Sequence, residues 1–244
     1  MDDGPGKWVV GANGLTFPRS RDIGNSGFFV TGSQAVTLYS SADWTLAESY
    51  RHKGNDLYLR DTATVTIDTT DYNDHTTPHT VTLKGYINAQ GTAATPLTVT
   101  GRGTVVLDSK TANNHNNVVN GAIAVENGAT LQINKDVVVG GTGSISLAAG
   151  ATLAIAANDD KTISVRDIVP VTLPESGTAT LRIAGLRLKS GDYVILDSVP
   201  SGYADHLTVD RSTTAIGGRR ASLKDENGQL VLAIISPGTL IVVR

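Results

Sequence analysis

The chain of 244 residues contains no cysteine, a single methionine and only twelve aromatic residues. Without cysteine there is no disulfide framework and no thiolate chemistry. Such a chain suits any compartment, and it is common among proteins that cross an oxidising periplasm unfolded. Charged residues make up 18% and the formal net charge is −3, so the basic footprint that nucleic acid requires is missing. No run of like charge points to a membrane surface or a strongly charged partner. No segment approaches 18 apolar residues, so no helix is expected to span a membrane. The opening "MDDGPGKW" lacks the basic and apolar regions of a signal peptide and reads as a trimmed start, which leaves export open. Helical signals are also missing. There are 26 glycines, the apolar set is rich in β-branched residues, and no stretch of ten shows i, i+3, i+4 patterning.

What the chain does have is a repeated pentapeptide. Ala-Thr-(Leu or Val)-x-Ile occurs at Ala63–Ile67, Ala129–Ile133, Ala151–Ile155 and Ala179–Ile183. Each copy alternates apolar with mostly polar side chains, the period of a half-buried strand. Ala, Leu or Val, and Ile are expected to face inward, with Thr and the variable residue outward. Gly128 and Gly150 precede two of the copies and suit turns that need positive φ. The second and third copies are 22 residues apart, the first and second 66, and the third and fourth 28. The 66 reads as three windings of 22, and the 28 as one winding with a short insertion. Within one winding, "GATLQI", "KDVVVG" and "GSISL" read as three strands, with "GG", "GTG" and "AAG" as corners. Asn134 stands at a corner. A period of roughly 20 residues made of short strands and turns predicts an all-β solenoid, because one winding cannot cover its own apolar face and neighbours must stack on it. A β-sandwich fits the turn spacing too, but its strands have no reason to share a pentapeptide.

The run "GRGTVVLDSKTANNHNNVVNGAIAVENGATLQI" followed by "GTGSISLAAGATLAI" resembles the autotransporter-associated β-strand repeat, and "WVVGANGLTF" (Trp8 to Phe17) is similar to coils of the same kind of protein. The clear likeness covers Gly101 to Ile155, and looser likeness covers most of residues 6–183. It departs at "TANNHNNVV", where the family has an aromatic-rich stretch. The resemblance implies a right-handed parallel β-helix, carried across the outer membrane as the passenger of a type V secretion system. That implies a secreted or cell-surface location, and a membrane barrel elsewhere in the full-length protein.

Residues 1–183 are thus expected to form the β-helix, with aromatic-rich first coils. Residues 184–244 break the rhythm and read as antiparallel hairpins, with "DENG" as the turn between "ASLK" and "QLVLAI" and "GTLIVVR" as a last apolar strand. They resemble the capping region that precedes an autotransporter barrel. Ten of the twelve aromatics lie before residue 87. They are expected to fill wide coils and close the N-terminal end. Trp44, Tyr50 and Tyr58 are the candidates for a platform on which sugar rings stack.

Chemical motifs are few. The adjacent carboxylates Asp2-Asp3, Asp159-Asp160 and Asp225-Glu226 read as turn residues, not as the spaced pair a glycosidase uses. Asp71, Asp74, His75 and His79 in "DYNDHTTPH" could meet a divalent cation, but Thr-Thr-Pro makes the segment a solvated loop. His115 has no evident partner. No nucleophile elbow, phosphate loop or calcium-binding nonapeptide occurs. The expectation is a structural or adhesive stalk of about eight coils and about 40 Å, monomeric, without catalytic residue, metal or cofactor, whose rows of Thr, Gln, Asn and Ser contact glycans or matrix. The rivals are a carbohydrate-active β-helix enzyme of lyase or glycosidase type, which needs a groove of three or more charged side chains from neighbouring coils, and a trimeric tailspike segment.

Overall fold

The structure, a computed structural model, describes residues 7–10, 27–46, 56–84, 87–89, 93, 95–108, 117–134, 137–139, 144–157, 171–196 and 199–235. These residues form strands, turns and a single 3-10 turn at Tyr203–His206. Three of the four sheets are wholly parallel and are built in rotation, each taking every third strand along most of the chain. The first stacks Lys7–Val10, Ala35–Ser40, Thr64–Asp71, Leu97–Thr100, Ala122–Val125, Ser144–Leu147 and Val171–Thr172. The second stacks Trp44–Leu46, Thr80–Leu83, Thr104–Leu107, Thr130–Ile133, Thr152–Ala156, Ala179–Ala184 and Leu207–Val209. The third stacks Gly27–Val30, Asp56–Leu59, Ile87–Ala89, Asn117–Asn120 and Val137–Val139.

The register follows the alternation of side chains. Leu131 lies beside Leu153 and Leu153 beside Leu181, while Ile133, Ile155 and Ile183 form the next column on the second sheet. All six are buried, as are Ala129, Ala151 and Ala179. Val65, Leu97, Ile123, Ile145 and Val171 make the matching column of the first sheet. Burying each Leu or Ile contributes about 1.5–3 kcal/mol, which stacking alone makes available to strands this short. Sharp corners set the strands up. The amide of Ala129 donates to the carbonyl of Glu126 (3.1 Å) and that of Ala151 to Ala148 (3.0 Å), with Gly128 (φ 84°) and Gly150 (φ 80°) taking the left-handed position between them.

The first pentapeptide departs from the expected placement. Ala63–Ile67 belongs to the first sheet, not to the second, where the other three lie. Its turn closes from Ala63 N–H to Arg60 C=O, with Asp61 (φ 56°) in the left-handed region. It is thus a different corner, reached from the third sheet. The spacing between the first and second copies is therefore not three equal windings. On the second sheet, the aligned residues Thr80, Thr104, Thr130, Thr152, Thr180 and Thr208 are separated by unequal lengths of chain, the shortest from Thr130 to Thr152.

Past residue 184 the parallel stacking continues for one more strand, because Leu207–Val209 adds to the second sheet. The rest folds as an antiparallel sheet with Gln229–Ile235 between Gly191–Leu196 and Arg220–Glu226. The "DENG" hairpin forms, and Asn227 (φ 53°) and Gly228 (φ 75°) both adopt the positive φ that a two-residue turn of this hand requires. Arg219 fastens the junction. Its side chain is buried (7% exposed) and donates from Nε to Ile216 O (2.7 Å) and from Nη2 to Leu188 O (2.8 Å) and Ala215 O (2.9 Å). The Tyr203 hydroxyl donates to Val171 O, tying the 3-10 turn to the end of the first sheet, and burial pushes its phenol pKa up. "GTLIVVR" lies outside the described residues.

Candidate functional site

The one long excursion among the described corners lies between the first and second sheets. The strand Thr64–Asp71 overshoots its neighbour and folds back, with Thr70 bridging antiparallel to Pro78 and the amides of Asp71 and His79 donating to Thr77 O (2.8 Å) and Thr69 O (2.7 Å). The polar residues of "DYNDHTTPH" shape this excursion. Asp71 accepts the amides of Asn73 (2.7 Å) and Asp74 (3.1 Å), and Asp74 accepts the amides of Thr76 and Thr77 and the Thr77 hydroxyl. His79 Nε2 lies 2.8 Å from Asp71 Oδ2, and its Nδ1 is 3.5 Å from Asp43 on the preceding coil. The bond from His79, then the two amides, hold the Asp71 carboxyl below its ordinary pKa, and the bonds from Thr77, then Thr76, do the same for Asp74. The candidate cation ligands are therefore spent on turns. The His75 ring lies 6.4 Å from that of Tyr72, and no group of three His, Asp or Glu that could hold a metal occurs among the described residues.

The excursion docks on "GRG". A β-carbon on Gly101 would lie 2.6 Å from Asp68 Oδ1 and 2.7 Å from Thr70 N, and one on Gly103 would lie 2.0 Å from the His79 carbonyl oxygen. Only glycine admits this approach. The buried Thr69 hydroxyl donates to Thr100 O (2.8 Å) and accepts the Gly103 amide (2.9 Å), while the Thr70 hydroxyl accepts the Arg102 amide (3.0 Å). The backbone on both sides of Arg102 is thus pinned and its side chain is carried outward.

Beside this docking point an open groove of about 330 Å³ runs along the outer face of the second sheet. Pro78 and His79 form one end. Its floor is the threonine column, from Thr80 through Thr104 and Thr130 to Thr152. Arg102 and Arg182 stand on its wall, and no carboxylate lines it among the described residues. Arg182 Nε bonds Asp210 on the next coil (2.9 Å); this bond, after those from Ser212, helps keep the Asp210 carboxyl below its ordinary pKa.

The sugar-stacking candidates do not assemble. Trp44 is 3% exposed and its indole Nε1 donates to the buried Ser40 hydroxyl (3.1 Å), so its ring belongs to the core and offers no face to a ligand. Tyr58 is half-buried on the third sheet, between inward Leu57 and Leu59, whereas Trp44 is on the second. Tyr50 lies outside the described residues, as do Asp2-Asp3, His115 and Asp159-Asp160. Asp225 accepts the Ala204 amide (2.9 Å) and Glu226 pairs with Lys224 (2.7 Å), both in the C-terminal hairpin. An aromatic group the sequence reading missed is Tyr39 with Tyr72, whose ring centroids are 5.2 Å apart. They are distant in sequence and meet only because the excursion leans over the coil before it. Comparison of the chain with protein-family models, curated proteins and solved structures finds no match.

Proposed function

We propose that the chain winds as a right-handed parallel β-helix and serves as an autotransporter-type passenger segment, a stalk at the bacterial cell surface that adheres to glycans or matrix. The observation that carries this reading is the rotation of strands through three parallel sheets with like residues in register. Parallel crossovers within a sheet are almost always right-handed. Seven strands in each of the first two sheets give a rod of about 30 Å for the described coils, at roughly 4.8 Å per step. An outward surface of hydroxyls and few charges suits weak, multivalent contact.

One observation favours the enzymatic rival: His79, Arg102 and Arg182 come from different coils to one groove. A glycosidase needs two carboxylates about 5–9.5 Å apart, and the described wall has none, so the rival narrows to a lyase of acidic polymers. The test fuses the chain between a signal peptide and an outer-membrane barrel in a Gram-negative host, and in parallel incubates the purified chain with a polysaccharide panel. Surface protease accessibility together with polymer binding, without new chain ends, is expected. Retention inside the cell, no binding to any polymer, or release of unsaturated products would overturn the reading.

A further inference from the structure

We propose that the groove on the second sheet binds an acidic polysaccharide, with Arg102 and Arg182 holding its anionic groups and the threonine floor bonding its hydroxyls. The inference deepens the adhesive reading and rests on it.

The floor offers hydroxyls that the described protein does not use. Thr130 and Thr152 are 6% and 9% exposed, yet neither hydroxyl bonds to a described residue. Among the described residues only the Thr213 hydroxyl is both sealed from solvent and unpartnered. The Thr130 and Thr152 hydroxyls therefore reach solvent, and both residues line the groove. Farther along the same column the hydroxyls are satisfied: Thr180 meets Thr208 at 3.4 Å, and Thr208 donates to Ala179 O (3.3 Å). A hydroxyl that opens onto the groove without a protein partner is hydrated there, and a ligand hydroxyl can take the place of that water. Successive threonines are about 4.8 Å apart, a ladder matched to an extended polymer.

The wall selects charge. Arg102 is exposed and its side chain makes no ion pair or hydrogen bond with the described residues, although its backbone is pinned at Thr70. Arg182 gives Nε to Asp210 and keeps its terminal nitrogens, so one edge of its fork faces a ligand. Three strand steps, roughly 14 Å, separate the two coils, and since Arg102 lies two residues before Thr104 and Arg182 two after the aligned Thr180, they are a further roughly 13 Å apart across the strands. That distance suits a polymer with repeated anionic groups, not a single small anion. Of the nearby carboxylates, Asp43 and Asp71 face His79 and Asp68 accepts the Thr70 amide, while Asp210 pairs with Arg182, so a ligand anion has to share that guanidinium with it. With a net charge of −3 the whole protein repels polyanions, so attraction has to be local to this groove. Nucleic acid fits less well: no Trp, Tyr or Phe ring lines the described groove to stack a base.

The test is binding of the purified full chain to immobilised polymers: polygalacturonate for carboxylates, dextran sulfate for sulfates, unmodified dextran as neutral control, and single-stranded DNA as a phosphate polyanion. The wild-type chain is expected to bind one or both acidic polysaccharides and neither control. Arg102→Gln and Arg182→Gln each weaken binding by about tenfold, the worth of one charge-assisted bond, and the double variant abolishes it. Thr130→Val with Thr152→Val, nearly isosteric, weakens it several-fold while melting and weak electrostatic retention on an anion-bearing resin stay unchanged. Equal binding of dextran, tighter binding of DNA, or insensitivity to both arginine variants would overturn the groove assignment and leave the adhesive reading in place. No binding to any polymer would remove both.

Discussion

Replacing Gly103 with alanine tests the close approach on which the groove depends. The added β-carbon would lie 2.0 Å from the His79 carbonyl oxygen, 2.7 Å from His79 N and 2.8 Å from Thr69 O. All three are backbone atoms, so no side chain can rotate out of the way. Ordinary contact begins near 3.4 Å, so the excursion has to withdraw by about 1.4 Å. That breaks the bonds from Thr104 N to His79 O (3.0 Å) and from Gly103 N to the Thr69 hydroxyl (2.9 Å), each worth about 1 kcal/mol. Strain in the crowded site adds about 1–3 kcal/mol. The stiffer unfolded chain returns about 0.4–1 kcal/mol. The net loss is about 2–4 kcal/mol, a fall in Tm of roughly 5–15 °C for a chain of this size. Circular dichroism melting measures it, and hydrogen exchange at the His79 and Thr104 amides locates it. Gly32 is the reference, since its φ of 69° strains alanine but nothing lies within 4 Å of an added carbon, so Gly32→Ala costs only about 1–2 kcal/mol. If Gly103→Ala melts within a degree or two of wild type, or Gly32→Ala proves the worse of the two, the docking geometry is wrong.

Leu131→Ala, in the middle of its column, is expected to cost about 2–5 kcal/mol by chemical denaturation, while Gln132→Ala, pointing outward beside it, costs under about 1 kcal/mol. Arg219→Met leaves three buried carbonyls without their donor and is expected to cost about 2–4 kcal/mol, seen as earlier proteolytic nicking within residues 185–235; Arg219→Lys recovers only part of it. Asp71, Asp74 and Asp210 all have folded-state pKa values below the ordinary 3.8, so their contribution to stability is complete above that pH and is lost as the pH falls through the lower folded values. An acid titration of Tm is expected to be flat in this respect above about pH 4 and to drop below it, and less steeply in Asp210→Asn.

The sequence made visible whatever depends on local alternation and turn chemistry. Ala129–Ile133, Ala151–Ile155 and Ala179–Ile183 stack in register as their likeness predicts, and "ENG" is a hairpin turn at 226–228 because only residues that tolerate positive φ fit there. Sheet membership was less legible. Ala63–Ile67 matches the others in alternation but follows a different corner, and an inward-outward pattern is the same on every sheet. Trp44 read as a platform because aromatic type says nothing about which way a strand residue points. Its neighbour Leu46, buried on the same side, carried that information. The groove could not be read at all. Arg102 and Arg182 stand far apart in the sequence, and they share a wall only because windings of unequal length stack with their strands aligned.

The ladder of backbone bonds between coils runs along the direction of stacking. A pull on the two ends of the chain in that direction opens one coil at a time, like a tape leaving its roll, and does not load the whole body at once. Each coil then releases about 75–100 Å of extended chain. On the stalk reading proposed above, such a body would lengthen in steps under load and rewind when the load drops, so a grip held at one coil would outlast the opening of its neighbours.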